Sequence, residues 1–221
     1  MDDMTHRLVA MLLCCLSWPS LAIQASLGLH TGSSSDIDDG HWQQISASAS
    51  QRWQHWRLKL SSGWLRRQQD SEATQGLADT WLSAKYWLPA AMAGHRWQFR
   101  VRHKFATADE NKALGSGGSD DELRIRALRP LGAYWLWYQG GYRWRQSSAV
   151  YHMQDGAIWG LGLHKKPYSL MYNGRQASQP GQSMRHQLML AWQLQRRDHK
   201  ITPYAQIGNR STAALGVTLS F

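Results

Sequence analysis

Apolar and polar residues alternate with a period of two along most of this chain, and after residue 22 no segment sustains a helical period over two or more turns. The segment from Arg96 to Phe105 shows the pattern plainly. Trp97, Phe99, Val101 and Phe105 fall on one face, while Arg96, Gln98, Arg100, Arg102 and Lys104 fall on the other. The alternation predicts about twelve strands: 23–31, 41–52, 56–66, 79–89, 95–106, 120–131, 133–145, 154–164, 168–176, 184–196, 200–208 and 213–221.

The breaks between these strands alternate too. After odd-numbered strands come longer polar stretches: 32–40, 68–78, 107–119, 146–153, 177–183 and 209–212. After even-numbered strands come tight connections at 53–55, 90–94, 132, 165–167 and 197–199. An up-and-down transmembrane barrel with both ends of the chain in the periplasm has short periplasmic turns and longer outer loops, whereas a Greek-key sandwich has no reason to obey this rule. The predicted fold class is therefore all-β, an antiparallel up-and-down transmembrane β-barrel.

If the barrel spans a membrane, the apolar face of each strand meets lipid, because an Arg or Lys facing the bilayer midplane costs ~2–4 kcal/mol. That parity turns a large basic set toward the lumen: Arg57, Lys59, Lys85, Arg96, Arg100, Arg102, Lys104, Arg124, Arg126, Arg143 and Arg145. The strand 133–145 carries aromatic residues on both faces. Arg143 and Arg145 assign their own face to the lumen, so Trp135 and Trp137 join it near the periplasmic end and become candidates for a constriction. His103 is the polar exception on a lipid face, expected near a headgroup region.

The two ends of the chain sharpen the picture. Residues 213–221, AALGVTLSF, alternate Leu215, Val217, Leu219 and Phe221 with small or polar residues. This is the form of a closing strand whose terminal Phe221 is read by the barrel-assembly machinery. Residues 1–22 read as a signal peptide: Leu8 to Leu16 is apolar, and Ser20, Leu21 and Ala22 precede a cleavage point. Residues 23–221 are then the barrel. Both cysteines, Cys14 and Cys15, leave with the signal. The 13 Trp residues fit interfacial girdles. The formal net charge is +10, and loss of residues 1–22 removes Arg7, Asp2 and Asp3, raising the basic excess further. Export disfavours nucleic acid as the partner and leaves an anionic solute or an anionic membrane surface.

The middle of the chain resembles the MetA-pathway-of-phenol-degradation family of outer-membrane transporters. The residues that carry the likeness are Gly76 and Asp79 at a strand start, Lys104, Thr107 and Asp109 where a loop begins, Lys112, Leu114, Gly115 and Gly117 within it, and Gly141, Tyr142 and Arg143 on a later strand. Ala106 stands where the family has Pro. The resemblance implies a small outer-membrane barrel that passes small organic molecules.

The combined expectation is a monomeric channel in the bacterial outer membrane, set among outer-membrane lipids and lipopolysaccharide. It would admit small anionic or polar solutes through an arginine-lined lumen, without cofactor, metal or catalytic step. The acidic stretch Asp109, Glu110, Asp120, Asp121 and Glu122 lacks the spacing of a calcium loop and reads as a solvated loop or a lid over the basic lumen. Two alternatives stay open. One is a lipid-modifying enzyme of deacylase or phospholipase type, for which His30, His164 and His186 are the histidines with serines nearby. The other is a plugged structural or adhesive barrel, in which the arginines pair with Glu122, Asp155 and loop carboxylates.

Overall fold

The alternation becomes a sheet that closes on itself. The computed structural model describes residues 23–34, 40–69, 72–209 and 212–221; the expected signal peptide lies outside them. The strands are β1 (Ile23–Ser34), β2 (Gly40–Trp53), β3 (Trp56–Gln69), β4 (Glu72–Leu77), β5 (Thr80–Trp87), β6 (Arg96–Phe105), β7 (Asp120–Leu131), β8 (Tyr134–Arg145), β9 (Gly156–Lys165), β10 (Tyr168–Arg175), β11 (Arg185–Trp192), β12 (Leu194–Arg196), β13 (His199–Gly208) and β14 (Ala213–Ser220). Neighbours in sequence pair antiparallel, and β14 closes the ring against β1 with Leu29 opposite Val217 and Ser26 opposite Ser220. Closure leaves no open edge, which a sheet in lipid requires.

Two staves of this ring are interrupted. The lower half of β3 (Trp56–Ser61) pairs with β5 and its upper half (Trp64–Gln69) with β4, so β4 and β5 form one stave broken at Ala78 and Asp79. Likewise β11 and β12 share one stave, broken at Gln193, against β13. The ring therefore has twelve staves.

The segment 68–78, expected as a long loop, is mostly strand. β3 continues to Gln69 and β4 starts at Glu72, with Arg66 opposite Gln75 and Gln68 opposite Ala73. Above the lipid a hairpin needs no apolar outer face, so the hydropathy pattern ends before the strand does. The tight turns lie at the other end. Gln54, Ala93, Gly94, Gly132 and Arg197 take positive φ there, and Gly132 at φ 58° lets the chain reverse between Leu131 and Tyr134.

The barrel is built inside out. Leu27, Leu29, Ile45, Leu58, Leu60, Val101, Leu161, Leu190, Ile207 and Leu215 face outward, each more than half exposed, an apolar belt suited to contact with lipid. Aromatic pairs flank it. Trp56 and Tyr86, 4.7 Å apart, and Tyr168 and Trp192, 6.2 Å apart, mark the turn side, while Tyr142 and Trp144, 5.2 Å apart, mark the loop side. Large polar side chains are buried inside, Gln98, Lys104, Asp120, Glu122, Gln139 and Arg145 among them, while the buried apolar residues are mostly alanines.

Candidate functional site

The strand register stacks the inward residues of β5 to β8 in ranks. Lys85 stands opposite Arg100, and Arg100 opposite Arg124. One step toward the loops, Arg102 stands opposite Glu122, and Glu122 opposite Arg143. The next rank joins Trp81, Lys104, Asp120 and Arg145.

Glu122, 1% exposed, is the hub. Arg100 Nη2 donates to its Oε1 at 3.1 Å, Arg124 Nη2 to its Oε2 at 2.9 Å, and Arg143 Nη2 to Oε2 at 2.7 Å. Arg102 Nη1 stands 3.8 Å from Oε1. The Trp81 ring carries the Arg102 guanidinium at 3.9 Å and that of Arg143 at 5.1 Å. One carboxylate thus holds four guanidinium groups in place, and a desolvated charge of either sign is tolerated only with such partners.

A second hub is Lys104, whose Nζ lies 3.2 Å from Asp79 Oδ2 and 3.6 Å from Asp120 Oδ2 and also donates to the Ser116 hydroxyl. Asp79 occupies the break between β4 and β5 and accepts the Ala108 N–H through Oδ1 at 3.2 Å. Thr107 Oγ1 donates to the Ala78 carbonyl at 3.1 Å. Farther along this connection, Arg67 Nη1 donates to the Ala113 carbonyl at 2.5 Å and Thr74 Oγ1 to the Lys112 carbonyl at 3.0 Å. Segment 106–119 is thereby folded inward over β3 and β4, with Leu114 buried against Gly76 and Gly115 so close to Asp79 that a Cβ would lie 2.8 Å from Oδ1. Gly117, at φ +70°, leaves room for the Glu110 carboxylate. Gly76, Asp79, Lys104, Thr107, Leu114, Gly115 and Gly117, separate motifs in the sequence, converge on this one latch. Asp120 and Glu122, read in the sequence as part of an acidic loop segment, are strand residues inside the barrel.

Toward the turns, Arg126 donates to Gln139 Oε1 at 2.7 Å and lies 4.4 Å from the Trp137 ring. Trp137, 6% exposed, packs its edge on the Cα of Gly162. Trp135 and Trp137 line a vestibule of about 920 Å³ with Trp87, Arg52 and His164. Arg96 lies on its rim and is exposed, because β6 begins there. Arg57, Lys59 and Lys85 line a neighbouring cavity of about 380 Å³. Arg145 Nη1 donates to the Gln154 carbonyl, and Asp155 accepts the backbone N–H of Arg145. Asp155 is thus tied to backbone, where the plugged-barrel alternative paired it with an arginine side chain.

The facing wall, from β13 through β14 and β1 to β2, is largely uncharged, with Lys200 on β13 and Arg52 on β2 as its cations at the turn end. His30 Nε2 meets Ser46 Oγ at 2.9 Å and its Nδ1 meets Tyr204 OH at 2.9 Å, while Gly28 and Gly216 flank the same ring. His164 Nδ1 pairs with Ser169 Oγ at 2.6 Å and His186 Nδ1 with Tyr172 OH at 2.7 Å. None of the three contacts a carboxylate among the described residues. His103, on the lipid face, pairs with Asp121 at 2.8 Å beside the outer loops. Sequence reasoning missed Lys200, Trp81 and Arg67; their inward parity on strands was the available signal.

No family model matches the chain, and no curated protein does. Solved structures do. The COG4313 outer membrane channel from Pseudomonas putida F1 aligns with TM-score 0.66 at 11% identity, over 92% of this chain and 96% of that one. The KdgM porin, solved with disordered oligogalacturonate, aligns with TM-score 0.53 at 12% identity over 89% and 98%. The translocator domain of autotransporter NalP from Neisseria meningitidis gives 0.51 at 11% identity over 99% and 93%. Together with the apolar outer belt, these likenesses establish the fold as that of an outer membrane β-barrel.

Proposed function

We propose that this barrel is a narrow, monomeric diffusion channel of the outer membrane that passes small anionic or polar organic solutes along its arginine-rich wall. The observation that carries the reading is the uneven pairing of charge. Glu122, Asp120 and Asp79 offset about half of the charge in the upper part of the basic wall, three carboxylates against Arg100, Arg102, Lys104, Arg124, Arg143 and Arg145, whereas Arg57, Lys59, Lys85 and Arg126 have no carboxylate within ion-pair distance among the described residues. In a narrow passage with low-dielectric walls, unneutralised cations lower the barrier for anions and raise it for cations. The inward-folded segment 106–119 narrows the outer mouth, and Trp135 and Trp137 narrow the inner one. Lipopolysaccharide and other outer-membrane lipids surround the belt, and Phe221 is the signal for the assembly machinery. No cofactor or catalytic step is part of this reading.

Reconstitution in planar bilayers under a salt gradient tests it. The expected result is ion conductance with a reversal potential displaced toward that of the anion. Cation preference, or no conductance from folded protein, would overturn it. Incubation with lipopolysaccharide and phospholipid, read by mass spectrometry, tests the enzymatic alternative: released acyl chains would replace the channel reading.

A further inference from the structure

Arg52 stands directly opposite Arg57, Arg57 opposite Lys85, Lys85 opposite Arg100, and Arg100 opposite Arg124, so one rank of like charge crosses β2, β3, β5, β6 and β7. Like charges directly opposed on adjacent strands destabilise a sheet. Arg100 and Arg124 are relieved by Glu122. Arg57 and Lys85 are not, and Lys59, on the same face, adds a third cation. All three open into the 380 Å³ cavity near the tight turns, together with Lys200 from β13 and the hydroxyls of Ser48 and Ser50 from β2. The carboxylate that lines this cavity from a side chain, Asp198, is exposed on the turn between β12 and β13 and forms no ion pair with these cations among the described residues.

We propose that this cavity is a binding subsite for a solute carrying at least two anionic oxygen groups, a di- or tricarboxylate or a phosphorylated small molecule, held by Lys59, Lys85, Arg57 and Lys200. Adjacent strands lie ~4.8 Å apart, so the cations on β3 and β5 offer two anchoring points within about 5–10 Å, the reach of a short polyacid. The serine hydroxyls supply donors for the remaining oxygens, and the bound anion removes the repulsion within the rank. This assignment rests on the channel reading for its physiological solute, but not for its chemistry: the middle arginines are held by Glu122, and the cations without a carboxylate partner among the described residues lie toward the turns.

Isothermal titration of the full detergent-solubilised barrel with citrate, and separately with acetate, tests it. Citrate should bind and acetate at least about tenfold more weakly, since each charge-assisted hydrogen bond that the smaller anion cannot form is worth roughly a factor of ten. The double variant Lys59→Gln/Lys85→Gln should weaken citrate by a further tenfold or more on the same scale, while Lys59→Arg/Lys85→Arg retains it. Heat-modifiable gel mobility confirms folding of each variant. Citrate binding that is absent in the parent, or unchanged in the Gln variant, overturns the subsite. Anion-selective conductance without citrate binding sinks the subsite and leaves the channel; citrate binding without conductance does the reverse.

Discussion

Lys104 Nζ and Asp79 Oδ2, 3.2 Å apart, tie β6 to the break between β4 and β5 and so anchor the segment that covers the outer mouth. Both side chains are largely shielded from solvent, at 5% and 13% exposure. Removing Asp79 leaves Lys104 with Asp120 and the Ser116 hydroxyl, so the cost stays below the ~3–5 kcal/mol of a fully stranded buried charge and falls mainly on the latch. Asp79→Ala should therefore release segment 106–119 while the closed sheet persists. Trypsin cleavage after Lys112 in the folded barrel checks this: faster cutting than in the parent, with larger conductance, is expected.

Gly117→Ala attacks the same latch from the loop. At φ +70° a side chain is strained, and its Cβ would collide with the Glu110 carboxylate. The local penalty is about 1–3 kcal/mol. The variant should show the trypsin sensitivity of Asp79→Ala with unchanged global unfolding in urea.

Glu122→Gln tests the central hub. Four guanidinium groups lose their shared counter-charge, so stability should fall by about 3–5 kcal/mol, read from the urea midpoint of barrel unfolding. Surviving folded protein should show stronger anion preference than the parent, because the net positive charge of the wall has risen.

Trp137→Ala should widen the inner vestibule and raise single-channel conductance. Gly162→Val is the converse change. Its Cβ would sit 2.5 Å from the indole ring and push Trp137 into the passage, so conductance should drop without a change of selectivity.

The Phe221 N–H donates to the Ala25 carbonyl at 3.0 Å and its ring meets His199 edge-on at 5.3 Å. Deletion of Phe221 removes one backbone hydrogen bond of the seam, worth about 1 kcal/mol. If Phe221 is the assembly signal as proposed, the loss of assembled barrel in the outer membrane, measured by heat-modifiable gel shift, should far exceed what that one bond explains, with little change in the conductance of what assembles.

The sheet was legible because lipid imposes a rule on every strand it touches. Leu123 and Ile125 must alternate with Arg124 and Arg126, and the register follows once the turns are short. Where lipid ends, the rule ends: nothing in RRQQ announces that β3 runs to Gln69. Parity grouped the basic residues on one face of each strand, and the plugged alternative named Glu122 as a partner, but which arginines it meets was not legible. Glu122 reaches Arg100, Arg102 and Arg143 through pairing between strands, and the order of residues along one chain carries no register across the sheet. The latch was half visible. Gly76, Asp79, Lys104 and Gly115 stand out as motif positions, yet only the folded chain reveals that Asp79 receives both the Lys104 ammonium and the Ala108 amide.

Most of the lumen's charge is carried by β3 to β8, whereas the wall from β13 through β14 to β2 carries mainly serine, glycine, threonine and tyrosine, with Lys200 and Arg52 at its turn end. The electric field inside therefore points across the passage as well as along it. In the proposed channel, a solute with an anionic end and a neutral end would cross with its long axis turned, the anionic end toward the basic staves and the neutral end toward the smooth ones. Orientation in transit, rather than bore alone, then separates an elongated acid from a compact one of equal charge.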